Sequence, residues 1–315
     1  MIPFASAMLG RGGAGPAANT FSYAFTGGAL PGGVTASGGA GGRVVNSAGL
    51  LLGASAPRFD YDPITHAARG LLVEPAGTNI CLQSESFDGG AWSKASVVAT
   101  ANAAVAPDGT STADLLAATS TGAYMSQAVT NVVTAALTYS CFYKAGTFQW
   151  LRFVVQSASG AHSAQFWFDL ANHAPGVGTV AAGSPTISSY GVDDAGGGWS
   201  RCWATVQIPA ETSALLVLLA ASANGSGAQP ANAQYYAWGA QIEQAAKPTS
   251  YIGPTLASSV SRGADVIGFT LPGATGHLLY TFDDGSQQTV TAAPGAYTVP
   301  ATLNRPRIVS VTGTA

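Results

Sequence analysis

Residues 234–265 read QYYAWGAQIEQAAKPTSYIGPTLASSVSRGAD. The first ten alternate with a period of two, which sets Tyr236, Trp238, Ala240 and Ile242 on one face and Tyr235, Ala237, Gly239, Gln241 and Glu243 on the other. A β-strand with a large apolar face to bury is predicted there. Pro248 fixes its own φ and holds Lys247 extended, and Gly253-Pro254 breaks any regular element soon afterwards. The strand therefore ends in a turn and the chain ties off.

Working outward, upstream strands are predicted over 97–105, 113–117, 124–130, 137–144, 150–156, 164–170, 186–192, 199–208 and 214–221, at intervals typical of a sandwich. No stretch of ten residues carries helical periodicity. The class is all-β, and a jelly-roll β-sandwich over 57–265 is the expected architecture. Downstream, 278–282 and 287–291 flank Asp283-Asp284-Gly285-Ser286, and an Asp-Gly pair signals a tight hairpin because such turns need positive φ. With 297–299 and 307–311 this makes a small C-terminal β domain over 266–315, which is marginal alone and is expected to lean on the sandwich or on a symmetry mate. Residues 1–56 are Gly-rich with one aromatic island, Phe21, Tyr23 and Phe25. Such a segment does not bury enough surface to fold by itself. It is expected to be an arm that docks on other chains or serves oligomerisation.

Only 9% of the 315 residues are charged, against roughly 25% in ordinary globular chains. So uncharged a surface is expected to be hidden in an assembly, the alternative being that Ser, Thr and Gly do the solvating. The net charge of −3 comes with no basic block, so a phosphate backbone has nothing to hold and nucleic acid is not an expected partner. The longest strongly apolar run, 214–221 (ALLVLLAA), is far short of the roughly 20 residues that span a bilayer; it reads as a strand buried on both faces, with no membrane insertion. Cys81, Cys141 and Cys202 are odd in number and widely spaced, as expected of buried reduced thiols rather than a disulfide framework.

The strings YAWGAQIEQ, PTSYI and SRGAD, with RGLLVEPAGTNICLQSESF at 69–87 and APDGTSTAD at 106–114, together resemble a domain common in bacteriophage tail-fibre, head-fibre and related virion surface proteins. They fall over roughly residues 57–265. The resemblance implies a lectin-like or carbohydrate-binding-module-like sandwich displayed on a virion in an oligomeric fibre or spike, a homotrimer being the usual arrangement. This chain departs from the pattern at Gly77, where the family often has Arg, and at Ser200, where it often has an aromatic residue. The start, MIPFASAMLGRGG, has no basic region ahead of a sustained apolar stretch and does not read as a secretory signal, so assembly in the bacterial cytoplasm is the expectation.

Catalytic signatures are weak. Gly10-Arg11-Gly12-Gly13-Ala14-Gly15 matches a dinucleotide fingerprint in letters alone, since Pro16 follows and no βαβ unit surrounds it. His66, His162, His173 and His277 lack a second ligand at metal spacing, and no G-x-S-x-G elbow occurs. A glycosidase would need two carboxylates across a cleft, with Asp169 and Asp193, Asp194 or Glu243 as the available candidates. No catalytic residues are assigned, and no cofactor. The inorganic partner that the loop residues Asp60, Asp62, Asp108, Asp193 and Asp194 would suit is a structural calcium ion, although no twelve-residue calcium loop is present.

The aromatic rows say more. In 199–208 the apolar face is Cys202, Ala204, Val206 and Ile208, leaving Trp199, Arg201 and Trp203 opposite; in 150–156 Trp150 and Arg152 oppose Leu151, Phe153 and Val155; in 165–170 Trp167 and Asp169 oppose Phe166, Phe168 and Leu170. Sugars stack their C–H faces on flat rings while planar polar groups take the hydroxyls. Trp150, Arg152, Trp167, Asp169, Arg201 and Trp203 are therefore the candidate carbohydrate-binding set, and Trp199, within a family motif, is expected to be structural. Trp and Arg are also enriched at subunit interfaces, so the same rings would equally suit contacts inside a particle. The expected function is a non-enzymatic virion fibre or spike subunit that adheres to host surface polysaccharide and contacts other virion proteins. The alternatives are a purely structural head, collar or baseplate component, and a polysaccharide depolymerase.

Overall fold

The computed structural model describes residues 19–130, 135–209, 213–273 and 275–314. The Gly10–Gly15 run and the first part of the predicted arm lie outside them. Among the described residues there is no helix, and the chain is an all-β sandwich with a second β unit packed beside it.

The sandwich has two six-stranded antiparallel sheets. The front sheet runs Thr186–Asp194, Trp199–Gln207, Leu137–Ala145, Gln234–Glu243, Ala113–Ala118, Val97–Ala104. The back sheet runs Ala174–Ala182, Ser163–Asp169, Trp150–Ser157, Ser213–Ala221, Tyr124–Thr130, Ser93–Ala95. The alternating apolar sets meet between them: Tyr139, Cys141, Tyr143, Cys202, Ala204 and Val206 from the front, Leu151, Phe153, Val155, Phe166, Phe168 and Leu216 from the back. All three cysteines are free and buried, and burial pushes the Cys141 thiol up to about 12, so none is a ready nucleophile.

The strand Gln234–Glu243 has the bounds expected but not the faces. Gly239 adopts φ +63° and makes a bulge, so that two residues of this strand, Gly239 and Ala240, sit opposite one, Cys141, of Leu137–Ala145. One extra residue inverts the side-chain alternation from there on. Tyr235 and Ala237 therefore share the main core with Ala240 and Ile242. Trp238 turns to the other side and packs edge-on to Phe142 at 5.5 Å and against Tyr251 at 5.0 Å. Trp199 joins that same cluster, fully buried, with its indole N–H donating to the Val105 carbonyl.

The second unit divides the chain differently from the expected 1–56 and 266–315 segments. Asn19–Ala24 pairs with Arg307–Thr314, Thr35–Gly38 with Asp265–Leu271, and Arg307–Thr314 also with His277–Phe282 and Ala68–Leu72. Phe25, Val34, Leu71 and Val73 from the N-terminal side and Phe269, Tyr280, Ile308 and Val311 from the C-terminal side form one core. The Gly-rich segment from residue 19 onward is thus not an arm waiting for another chain. Its apolar residues are few, but they complete a core that the C-terminal strands leave half built. The sandwich is inserted, as residues 93–243, between the two halves of this unit.

The motif strings of the sequence converge where the two units meet. Glu74 accepts from Arg58 at 2.7 Å, from Arg262 at 3.0 Å, and from the Ser250 N–H and hydroxyl at 2.8 and 2.6 Å. Asp265 also takes the Arg58 guanidinium, and Glu243 accepts from the Thr249 N–H, its hydroxyl and Gln241. Asn79 bridges the carbonyls of Ala240 and Ile252. Gly77 sits within this knot, a Cβ there lying 3.5 Å from both Arg262 and Glu243. EPAGTN, AWGAQIE, PTSY and SRGAD therefore encode one buried polar network, in which both arginines and all three carboxylates are shielded from water.

Candidate functional site

The six candidate residues fall on two opposite surfaces. Trp150, Arg152, Trp167 and Asp169 lie on the outer face of the back sheet, on adjacent strands in which Trp150 faces Asp169 and Arg152 faces Trp167. Arg201 and Trp203 lie on the outer face of the front sheet, with the core of the sandwich between. Six residues of suitable chemistry do not make one site.

On the back sheet, the ring of Trp167 is not open to a ligand. It is buried, its indole N–H donates to the Ser226 carbonyl at 2.8 Å, and the segment carrying Ser226 closes over it. Its role is support, because the Arg152 guanidinium lies 5.6 Å from its ring centre. Arg152 is fixed further by two bonds to the Gln165 side-chain carbonyl, at 3.2 and 2.8 Å, and burial lowers its pKa. Asp169 is buried too; it accepts from the N–H groups of Ala171 and Asn172 at 3.0 and 3.1 Å and so closes its own turn. What remains open is Trp150, half-buried, beside Arg152. The Trp150 ring lies over Gly176, where an added Cβ would come within 2.8 Å of it. A flat ring next to a fixed guanidinium is the simplest arrangement that stacks a sugar and bonds its hydroxyls.

On the front sheet, Trp203 is half-buried over Gly191, with its indole N–H buried and without an acceptor among the described residues. Arg201 lies instead at the junction with the second unit. It donates to the Thr249 carbonyl at 2.8 Å and to the Ser140 hydroxyl at 3.1 Å, and stacks on Phe142 at 5.3 Å. Its Nε–H is buried with no acceptor among the described residues. Burial lowers the Arg201 pKa, against the opposing pull of Glu243 and Asp193. A cavity of about 150 Å³ opens there, lined by Arg43, Arg69, Arg201, Arg307, Asp60, Asp193, Asp194 and Thr249 among others. It brings together four of the chain's twelve basic residues. Sequence reasoning missed this concentration because isolated arginines from four distant strands and turns carry no spacing signal.

Of the loop carboxylates considered for calcium, Asp60, Asp193 and Asp194 line the junction cavity, and three of the five are held by arginines. Asp60 pairs with Arg307, Asp62 with Arg69, and Asp108 with Arg43 and Thr110. Among the described residues no three acidic, His or Cys side chains gather as a metal site. Another grouping has the composition of a nucleophilic triad. Ser200 Oγ lies 2.7 Å from His173 Nδ1, and His173 Nε2 lies 3.5 Å from Asp194. Ser200 is fully buried, so no scissile bond can approach its oxygen, and the trio serves to tie the turn at His173 to the front sheet.

Comparison with known proteins finds no matching family model and no matching curated protein.

Proposed function

We propose that the chain is a non-enzymatic virion surface protein, a fibre or spike subunit that adheres to polysaccharide on the bacterial envelope through the outer face of its back sheet. The resemblance of the motif strings to those of phage fibre proteins supports the setting. The half-exposed Trp150 ring beside Arg152, itself braced by Trp167 and Gln165, carries the binding role. Other virion proteins and further copies of the chain, with trimeric symmetry as in phage fibres, are the partners this role requires. The edge strands suit assembly: Ala174–Ala182 and Val97–Ala104 carry no charge and expose Val177, Val180 and Val98.

The test is retention of the protein, presented at multivalent density, on a panel of immobilised host polysaccharides. Retention that falls on Trp150→Ala supports the assignment; absence of retention on every surface sinks it. A purely structural role in the particle is favoured by those same uncharged edges. It predicts that a reconstruction of the virion finds Trp150 covered by a neighbouring subunit.

A further inference from the structure

The junction cavity is independent of the back-sheet surface and has a chemistry of its own. Arg201 and Asp193 are direct cross-strand partners, Asp193 on Thr186–Asp194 and Arg201 on Trp199–Gln207. Opposite charges so placed ordinarily close into an ion pair. Here they do not: the Arg201 guanidinium is held toward Thr249 and Ser140, and Asp193 accepts no hydrogen bond among the described residues. Arg69 and Arg307 reach the same cavity, and each is held by a single carboxylate contact through one nitrogen, Arg69 to Asp62 and Arg307 to Asp60. A guanidinium has five N–H donors, so several remain to face a ligand.

Size and lining then select the occupant. An apolar cavity of roughly 150 Å³ takes a benzene ring; this one, about 150 Å³, has room for a six-membered ring, and its wall mixes apolar side chains such as Val45, Leu51 and Phe142 with arginines and carboxylates. A pyranose suits that lining, because its C–H faces meet the apolar wall while a hydroxyl can accept from a free guanidinium N–H and donate to Asp193. Asp60, Glu74, Asp193 and Asp194 stand in the wall beside its four arginines, so the cavity has no excess of positive charge to select a sugar acid. We infer that the cavity between the sandwich and the second unit is a binding site for one neutral pyranose unit, its vicinal hydroxyls bridging Arg201 and Asp193. This rests on the glycan-binding role proposed above and adds a pocket that reads a single sugar residue to the stacking surface on the far side of the sandwich.

The experiment is saturation-transfer NMR and calorimetry of the full chain with free glucose, galactose, mannose, rhamnose and N-acetylglucosamine, and with glucuronate and N-acetylneuraminate. At least one neutral sugar is expected to bind, and Asp193→Ala to weaken it by about tenfold or more. Asp193 is exposed, so its replacement leaves the fold intact, which the thermal midpoint checks. No neutral sugar bound by the unsubstituted chain, binding unchanged in Asp193→Ala, or binding of sugar acids alone would each overturn the inference. Polysaccharide retention through Trp150 is measured separately. Its loss with the monosaccharide result intact removes the adhesive surface and leaves the pocket.

Discussion

The carboxylate of Glu74 is shared by Arg58, at 2.7 Å, and Arg262, at 3.0 Å, two arginines that arrive from opposite ends of the sandwich insertion. Removing one partner of a buried pair leaves charge uncompensated, at about 3–5 kcal/mol. Glu74→Gln is expected to lower the unfolding free energy in urea by that amount, and a change under about 1 kcal/mol would show that the network contributes little.

Acid should act on the same residue. Burial pushes the Glu74 carboxyl up, but Arg262, Arg58 and Ser250 together outweigh it and hold the folded value below the ordinary 4.5. A depressed carboxylate contributes stability above the unfolded value and loses it as pH falls through the folded one. Asp62 follows, set at about 2 by the Thr65 N–H above all, against the cost of its burial, with the Ile64 N–H and Arg69 adding to the effect. Stability is therefore expected to drop from pH 4.5 downward to about 2. Glu74→Gln should flatten the upper part of that curve. Glu85 and Asp114, raised chiefly by burial, contribute with the opposite sign in both proteins and cancel in the comparison.

Gly239 should not tolerate a side chain. Its φ of +63° costs a non-glycine residue about 1–3 kcal/mol, and a Cβ would meet the Phe142 ring at 3.0 Å. Gly239→Ala is expected to destabilise by at least that range in chemical denaturation. A neutral result would mean that the bulge is not what sends Trp238 and Ile242 to opposite sides.

The two back-sheet tryptophans should separate by phenotype. Trp167→Ala empties a buried position and is expected to cost about 3–5 kcal/mol of stability. Trp150→Ala is expected to leave the melting temperature within a few degrees and to weaken polysaccharide retention. If Trp167→Ala proves stable while Trp150→Ala unfolds, the roles given to them are reversed.

Limited proteolysis checks the second unit. Since Phe25 and Val34 are buried against Phe269 and Tyr280, residues from about 19 onward should resist cleavage in the isolated chain. Deleting 19–54 should unfold the C-terminal strands as well. Rapid trimming to residue 57 with the remainder intact would contradict that packing.

Strand positions were legible because alternation is local: 124–130, 234–243 and 287–291 have the predicted bounds. Ala174–Ala182 was not, since Pro175, Gly176 and Gly178 read as loop; Pro is tolerated there because the strand is an edge. Gly239 was visible, but its positive φ is set by the pairing with Leu137–Ala145, which no single-strand pattern contains. For the candidate site, the outward direction of Trp150, Arg152, Trp167 and Trp203 followed from parity. The cover over Trp167 comes from a segment some 59 residues later, and the junction cavity from residues up to 264 positions apart, Arg43 and Arg307, so neither left a mark in local sequence.

The pairing of Asn19–Ala24 with Arg307–Thr314 also bears on the order in which the protein can mature during synthesis. Asn19–Ala24 leaves the ribosome long before the strand it bonds to. The inserted sandwich holds all its own partners between 93 and 243 and can close while the earlier strands still wait. Completion of the outer unit, and with it the walls of the sugar-sized cavity, then waits for Arg307–Thr314, so a ligand for that cavity meets only chains translated at least that far.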